Sequence, residues 1–256
     1  MSFLLGSIYF FIKYLKSFNS NAYIYSLIFA SLSVLSNFTF LYFFISLIIA
    51  YNFYPIIEKY IRGDDIKLSL KKLIIHNKAS IIVFGLLGLI IWQPIKKLIY
   101  YKKLYYGGVE GFWVDTIRSL IEVSFYGVTH NQYLVYFIEF IILFILLFSI
   151  FLVIRIIFKK EEKLFIESML LIVTLFIFIT MAIISIINHH LLSSKFLIDK
   201  TALIFLPTFF LIIIYFFNNL MRTIFKKFSM VCFYLAAIVV VIYFFIRVLI
   251  FKSFCV

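Results

Sequence analysis

The chain is poor in acid, in proline and in cysteine. Of its 256 residues, 11 are Asp or Glu against 24 Lys or Arg, while three are proline, eight glycine and two cysteine. Scarce proline and glycine leave few points at which a helix is forced to break. Pro55, Pro94 and Pro207 fall near the ends or first turns of apolar runs, where neighbouring groups can satisfy a freed carbonyl. Cys232 lies inside an apolar run and Cys255 at the terminus, so their spacing suggests no metal site and says little about redox compartment. Charged residues make up 14% of the chain, against about 25% in soluble domains. No polar stretch is long enough to form a soluble domain.

What the sequence has is apolar length. Hydrophobic residues make up 65%, and the mean hydropathy is +1.15. The apolar runs cover about 1–12, 22–56, 79–98, 133–154, 164–188, 202–219 and 229–251, with short lysine-rich gaps between them. A helix needs about 20 such residues to cross a bilayer. The pattern predicts an all-α fold: one polytopic transmembrane helical bundle over 1–256, with about 7–8 spans. The run 22–56 is too long for one crossing and reads as two helices meeting at Ser36-Asn37. A tight hairpin there would turn Ser31, Ser33, Ser36 and Asn37 toward protein and leave the sequon Asn37-Phe38-Thr39 buried and unglycosylated.

The net charge of +13 does not point to nucleic acid, because the cations sit in gaps between spans and no reader motif accompanies them. Most of the 24 cations fall in the gaps around Lys13, from Lys59 to Lys78, from Arg155 to Lys163 and from Arg222 to Lys227. The positive-inside rule makes that side cytoplasmic and places 96–131 and 189–201 together on the outer face. The stretch 66–78 alternates lysines with Leu68, Leu70, Leu73, Ile74 and Ile75, as an amphipathic helix at the headgroups or a solvated connector would. Aromatic residues reach 21%, but Phe, Ile, Lys and Tyr are enriched together, as a biased genome would also produce. The opening residues lack the basic region and cleavage site of a signal peptide. The short first run, followed at once by Lys13 and Lys16, reads like the tail of a helix whose front is missing.

Two polar constellations stand out. The first is Tyr105-Tyr106-Gly107-Gly108-Val109-Glu110-Gly111-Phe112-Trp113-Val114-Asp115-Thr116, whose three glycines allow a close approach by a ligand or another segment. From Phe112 the spacing turns helical, giving an amphipathic outer-face helix near 112–126. Asp115, Arg118 and Glu122 lie on one of its faces, Ile117, Leu120, Ile121 and Ser124 on another, and Gly127 is placed to stop it. That helix is either an interfacial element with a solvated ion-paired row or a lid over an outer-surface site. The second is Asn188-His189-His190, followed by Asp199-Lys200-Thr201 at the start of the next run, with Asp199 placed as an N-cap. Adjacent histidines point about 100° apart on a helix, so no metal is expected there. His189, His190, Lys195 and Lys200 instead suit a lipid phosphate headgroup, with ordinary headgroup snorkelling as the alternative. Glu139 stands alone in its apolar run at outer depth, either as part of a site, in structural pairing with another span, or as a neutral, protonated carboxyl.

At Tyr106-Gly107-Gly108, Gly111-Phe112, Asp115-Thr116 and Ser119-Leu120, and again at His190 and Asp199-Lys200-Thr201-Ala202-Leu203, the sequence resembles bacterial integral-membrane glycosyltransferases of the GT-C superfamily. The similarity is to the ArnT-like or mannosyltransferase-like members found in Bacteroidetes, and Leu35-Ser36-Asn37-Phe38-Thr39 looks like a segment of the same proteins. Lys200 departs from the arginine of the family's Asp-Arg-Thr-Ala motif, keeping the charge but not the bidentate fork. The resemblance implies transfer of a sugar from a polyprenyl-phosphate donor to a glycan or lipid acceptor at the extracytoplasmic face of the bacterial inner membrane, with membrane lipids as the other partners. No cofactor is expected, and no metal ligand set is read from the residues. Tyr106, Gly108, Asp115, His189, His190 and Lys200 would bind substrate, with Asp115 and Glu139 as candidates for the catalytic acid or base. The family's acidic first outer loop has no counterpart here, so the chain reads as a C-terminal part whose activity alone is open. A polysaccharide polymerase or ligase, a non-catalytic membrane subunit and a transporter are the rival readings. The absence of an arginine-rich outer loop tells against the polymerase, and the few polar residues at mid-membrane depth tell against the transporter.

Overall fold

A computed structural model of the chain describes residues 2–63, 77–101, 107–124, 132–160, 162–192 and 194–224. The chain divides into two compact units, Met1–Ile212 and Ile213–Val256. Among the described residues all extended elements are helical. They are α1 (Ser2–Ser17), α2 (Ser20–Ser36), α3 (Leu41–Arg62), α4 (Lys78–Tyr100), α5 (Ser119–Ser124), α6 (Gln132–Lys159), α7 (Glu162–Leu192), α8 (Asp199–Ala202) and α9 (Phe205–Ile224). A short 3-10 turn, Phe38–Phe40, leads into α3, and a π-helical turn, Phe112–Arg118, leads into α5.

Four helical stretches are long and apolar enough to cross a membrane: Phe38–Arg62, Lys78–Lys97, Gln132–Lys159 and Ser168–Leu191. They mark the chain as a membrane protein. The expectation of about 7–8 spans is therefore not met among the described residues. At 1.5 Å per residue, α1 and α2, with 16 and 17 residues, rise about 25 Å and fall short of a hydrocarbon core of about 30 Å. The apolar part of α9 is shorter still, Phe205–Asn219. The run 229–251 and most of the stretch 66–78 lie outside the described residues.

The break in the run 22–56 falls where the polar residues predict it. Asn37 ends α2 and turns its side chain into a cap, accepting from the Thr39 backbone N–H and from the Thr39 hydroxyl, each at 3.0 Å. Asn37 is exposed, which corrects the expectation of a buried sequon. Of the serines before it, Ser33 faces protein as expected, being fully buried, while Ser36 is exposed. Ser31, Ser33 and Ser36 each donate to a carbonyl of their own helix, three or four residues back.

Small residues hold α1 against α2. The Ser7 and Ser26 hydroxyls lie 3.2 Å apart, and the Ser26 hydroxyl also reaches the Ser7 carbonyl at 2.9 Å. Ala22 and Ala30 are buried on the same face of α2. At one end of the bundle, Tyr23 stacks on Tyr51 with ring centroids 3.5 Å apart and exchanges a 2.7 Å hydrogen bond with Ser80. That contact ties the first turns of α2 and α4 to the second half of α3. The same half of α3 meets the start of α7, where the Tyr54 hydroxyl donates to the Met169 sulfur at 2.8 Å. The chain alternates between two ends. Lys13, Lys59, Arg62, Lys78 and Lys160 lie at helix termini of this tyrosine-rich end, with Lys160 Nζ 4.8 Å from the Tyr60 ring centre. Replacing Tyr23 by phenylalanine leaves the buried Ser80 hydroxyl without its partner. The expected loss is about 0.6–1.7 kcal/mol, the range of interhelical hydrogen bonds in membranes, read as a lower melting temperature in detergent.

Candidate functional site

At the other end, α4 leads toward the glycine loop and α7 ends in the paired histidines. These two segments meet. Gly108 and Phe196 form a single antiparallel pair, with Gly108 N–H donating to the Phe196 carbonyl at 3.2 Å and Phe196 N–H donating back at 3.0 Å. The glycine loop and the histidine turn, 88 positions apart in sequence numbering, thus form one backbone unit.

Glycine is required at this junction because of how close the approach is. A side chain at Gly108 would fall on the Asp115 carboxylate, and one at Gly107 on the Phe196 carbonyl oxygen and the Lys195 side chain. Gly111 adopts φ 148 and ψ 159, a region that residues with a Cβ almost never enter. That conformation aims the Gly111 N–H at Asp115, which accepts it through Oδ2 at 2.8 Å, while the Asp115 N–H returns to the Gly111 carbonyl at 2.8 Å. Asp115 therefore fastens the loop onto the first turn of the helix that follows it.

The 112–126 element begins as expected but differs in form. It is π-helical over Phe112–Arg118 and α-helical over Ser119–Ser124, and residues 125–131 lie outside the described ones. Its apolar face holds, with Ile117, Leu120 and Ile121 buried. The polar residues do not form a solvated ion-paired row. Asp115 turns back to the loop, and Arg118 leaves the element to grip Glu139 on α6, with Nε to Oε1 at 2.6 Å and a second guanidinium nitrogen to Oε2 at 3.3 Å. The Tyr136 ring lies 5.4 Å from the same guanidinium. The hydrogen bond to Glu139, opposed in part by burial, raises the Arg118 pKa above its ordinary value, so the pair stays charged on the arginine side. Glu139 thus has a structural partner, supplied by the loop element and not by another span.

The histidine turn is held by its own contacts. His189 Nδ1 lies 2.8 Å from the Ser194 carbonyl oxygen, and its ring stacks on Phe196 at 4.2 Å. Phe196 in turn meets the edge of Phe112, and Phe112 that of Phe205 at the start of α9. These rings give the junction an apolar floor. His190 and Lys195 are exposed beside it. Asp199 is the first residue of α8 and not its cap. Ile198 holds the cap position, and Thr201 closes the turn, its hydroxyl accepting from Ile198 N–H at 3.0 Å and donating to the Ile198 carbonyl at 2.6 Å. Lys200 lies in that same turn of backbone.

Of the residues singled out for substrate, the structure brings Gly108, Asp115 and His189 to one junction, with His190 next to them and Lys200 on the helix that follows. Tyr106 lies outside the described residues. Two contributors carried no advance signal: Phe196 and the Ser194 carbonyl. The Asp115 contact had one, since an acid four residues after a glycine that opens a helix is placed to cap it. Among the described residues, no three His, Cys, Asp or Glu side chains form a group that could hold a metal ion. No protein-family model, no curated protein and no solved structure matches this chain.

Proposed function

We propose that the junction of the glycine loop and the histidine turn receives the phosphate of a lipid-linked sugar, and that the chain serves as a membrane glycosyltransferase drawing on a polyprenyl-phosphate donor. The observation that carries this reading is the Gly108/Phe196 pairing, which joins the two polar constellations into one site. His189, His190, Lys195 and Lys200 supply protonatable or positive groups for the phosphate, and the half-buried ring of Phe112, backed by the buried Phe196, supplies an apolar surface for the first isoprene units. By the positive-inside rule the lysine-bearing helix ends face the cytoplasm, so the junction opens on the extracytoplasmic side of a multi-pass protein in the bacterial inner membrane.

Asp115 and Glu139 enter this reading as positioning residues. Asp115 is engaged with the Gly111 amide and Glu139 with Arg118, so neither carboxylate is poised to take a proton from an acceptor hydroxyl. That observation favours a second reading as well, a subunit that binds the lipid-linked donor while the catalytic base comes from another chain.

The test is sugar transfer from a polyprenyl-phosphate donor by the full chain, alone or in its native complex, reconstituted in proteoliposomes. Lys200→Ala is expected to slow transfer about tenfold or more, the size of one charge-assisted hydrogen bond. Lys226→Ala, on the side assigned to the cytoplasm, is expected to leave the rate unchanged. Equal rates for the two variants would remove the assignment.

A further inference from the structure

The contacts of His189 fix which of its nitrogens can meet a ligand. A carbonyl oxygen only accepts, so the 2.8 Å contact from Nδ1 to the Ser194 carbonyl requires the hydrogen to sit on Nδ1. The stack on Phe196 holds the ring plane, and Phe196 is itself fixed through its backbone pair with Gly108. In the neutral ring, Nε2 then carries a bare lone pair. A lone pair cannot donate to a phosphate oxygen and repels it. Only after taking up a proton does Nε2 become a donor, and the Nδ1 contact survives that change because its hydrogen stays in place.

We infer that anion binding at this junction is coupled to protonation of His189, so that a phosphodiester binds with net proton uptake and is released as the imidazole loses its Nε2 proton. The inference rests on the reading that the junction receives a lipid-linked phosphate. A polyprenyl phosphosugar is a phosphodiester with one negative charge on either side of neutrality, so the pH dependence arises on the protein. Other charged groups surround the junction. His190 and Lys195 share the turn, Glu110 and Asp115 come from the glycine loop, Asp199 and Lys200 lie on α8, and the Arg118/Glu139 pair lies beyond the π-helical turn. Of these, His190 is a second imidazole and is exposed, so it needs its own control.

The protein as purified, full length in nanodiscs, would be titrated with farnesyl-phosphoglucose by calorimetry in two buffers of different ionisation heat. Wild type is expected to bind about tenfold more tightly at pH 5.5 than at pH 8 and to take up on average about 0.4 proton per ligand across that interval, as linkage requires. Asparagine places its amide nitrogen where Nδ1 stands. His189→Asn therefore keeps a donor for the Ser194 carbonyl but loses Nε2, and is expected to bind at the weaker level at both pH values without proton uptake. His190→Gln should keep the pH dependence. Nitrogen-15 NMR of the histidine rings in the wild type gives an independent reading, since the neutral form of His189 should carry its hydrogen on Nδ1. Retained proton uptake in His189→Asn, pH-independent or tighter high-pH binding by the wild type, or an Nε2–H tautomer would each overturn the assignment to His189. Such a result would leave the lipid-phosphate reading standing. No binding of the probe at either pH would overturn both.

Discussion

Replacing Gly108 by alanine is expected to open the junction and reduce binding of a lipid-linked phosphate by more than tenfold. The new methyl would occupy the space of the Asp115 carboxylate. Asp115 cannot step aside without giving up the Gly111 amide that it caps, and the loop cannot step aside without breaking the pair between Gly108 and Phe196. Overpacking of this kind costs about 1–3 kcal/mol. Loss of the cap would add about 1 kcal/mol. A glycine elsewhere serves as control: a side chain at Gly85 on α4 meets nothing within 4 Å, so Gly85→Ala should leave the melting temperature unchanged or raise it. Thermal unfolding in detergent, with binding of farnesyl-phosphoglucose measured on the same samples, checks both.

Removing Arg118 is expected to produce the other large loss. Its guanidinium is the partner of Glu139, whose side chain is 11% exposed, while that of Arg118 is 31% exposed. Breaking a buried pair from one side costs about 3–5 kcal/mol, because the remaining charge is left without a partner. Exposure of the arginine lowers the estimate to about 2–3 kcal/mol for Arg118→Ala. Converting both residues to apolar ones, Arg118→Met with Glu139→Leu, should recover most of the loss, since neither charge is then stranded. The double variant also separates structure from chemistry. If Glu139 only anchors the loop element, the double variant binds ligand normally. If Glu139 takes part in the reaction, the double variant folds but is inactive. A double-mutant cycle on unfolding, together with binding and the rate of sugar transfer, gives both answers.

The coarse design of this protein is legible in its sequence because a bilayer imposes length. Runs of about 20 or more apolar residues correspond to α3, α4, α6 and α7, and the polar Ser36-Asn37 step correctly marks where one long run folds into two helices. Length also misled. Apolar character alone does not distinguish a span from the shorter helices α1 and α2, which pack on each other through serines and alanines. At the junction, the sequence pattern singled out the two segments that the structure pairs, because three glycines and a histidine pair are unusual in such a chain. It could not assign their side chains. Whether Asp115 joins an ion-paired row or caps Gly111 depends on the φ of one glycine, and whether Glu139 meets a span or a loop depends on contacts 21 residues apart. The tautomer of His189 depends on a carbonyl that any residue could supply.

The proposed site exists only where the glycine loop and the histidine turn meet at one outward-facing surface. Val109 and Lys195 are both exposed next to the paired residues. With Cys232 and Cys255 replaced by serine, single cysteines at these two positions should each react with a membrane-impermeant maleimide added to intact cells. The pair Val109→Cys with Lys195→Cys should be joined within one chain by a short bifunctional maleimide. Labelling of the two positions from opposite sides of the membrane, or two exposed cysteines that never cross-link, would contradict the account.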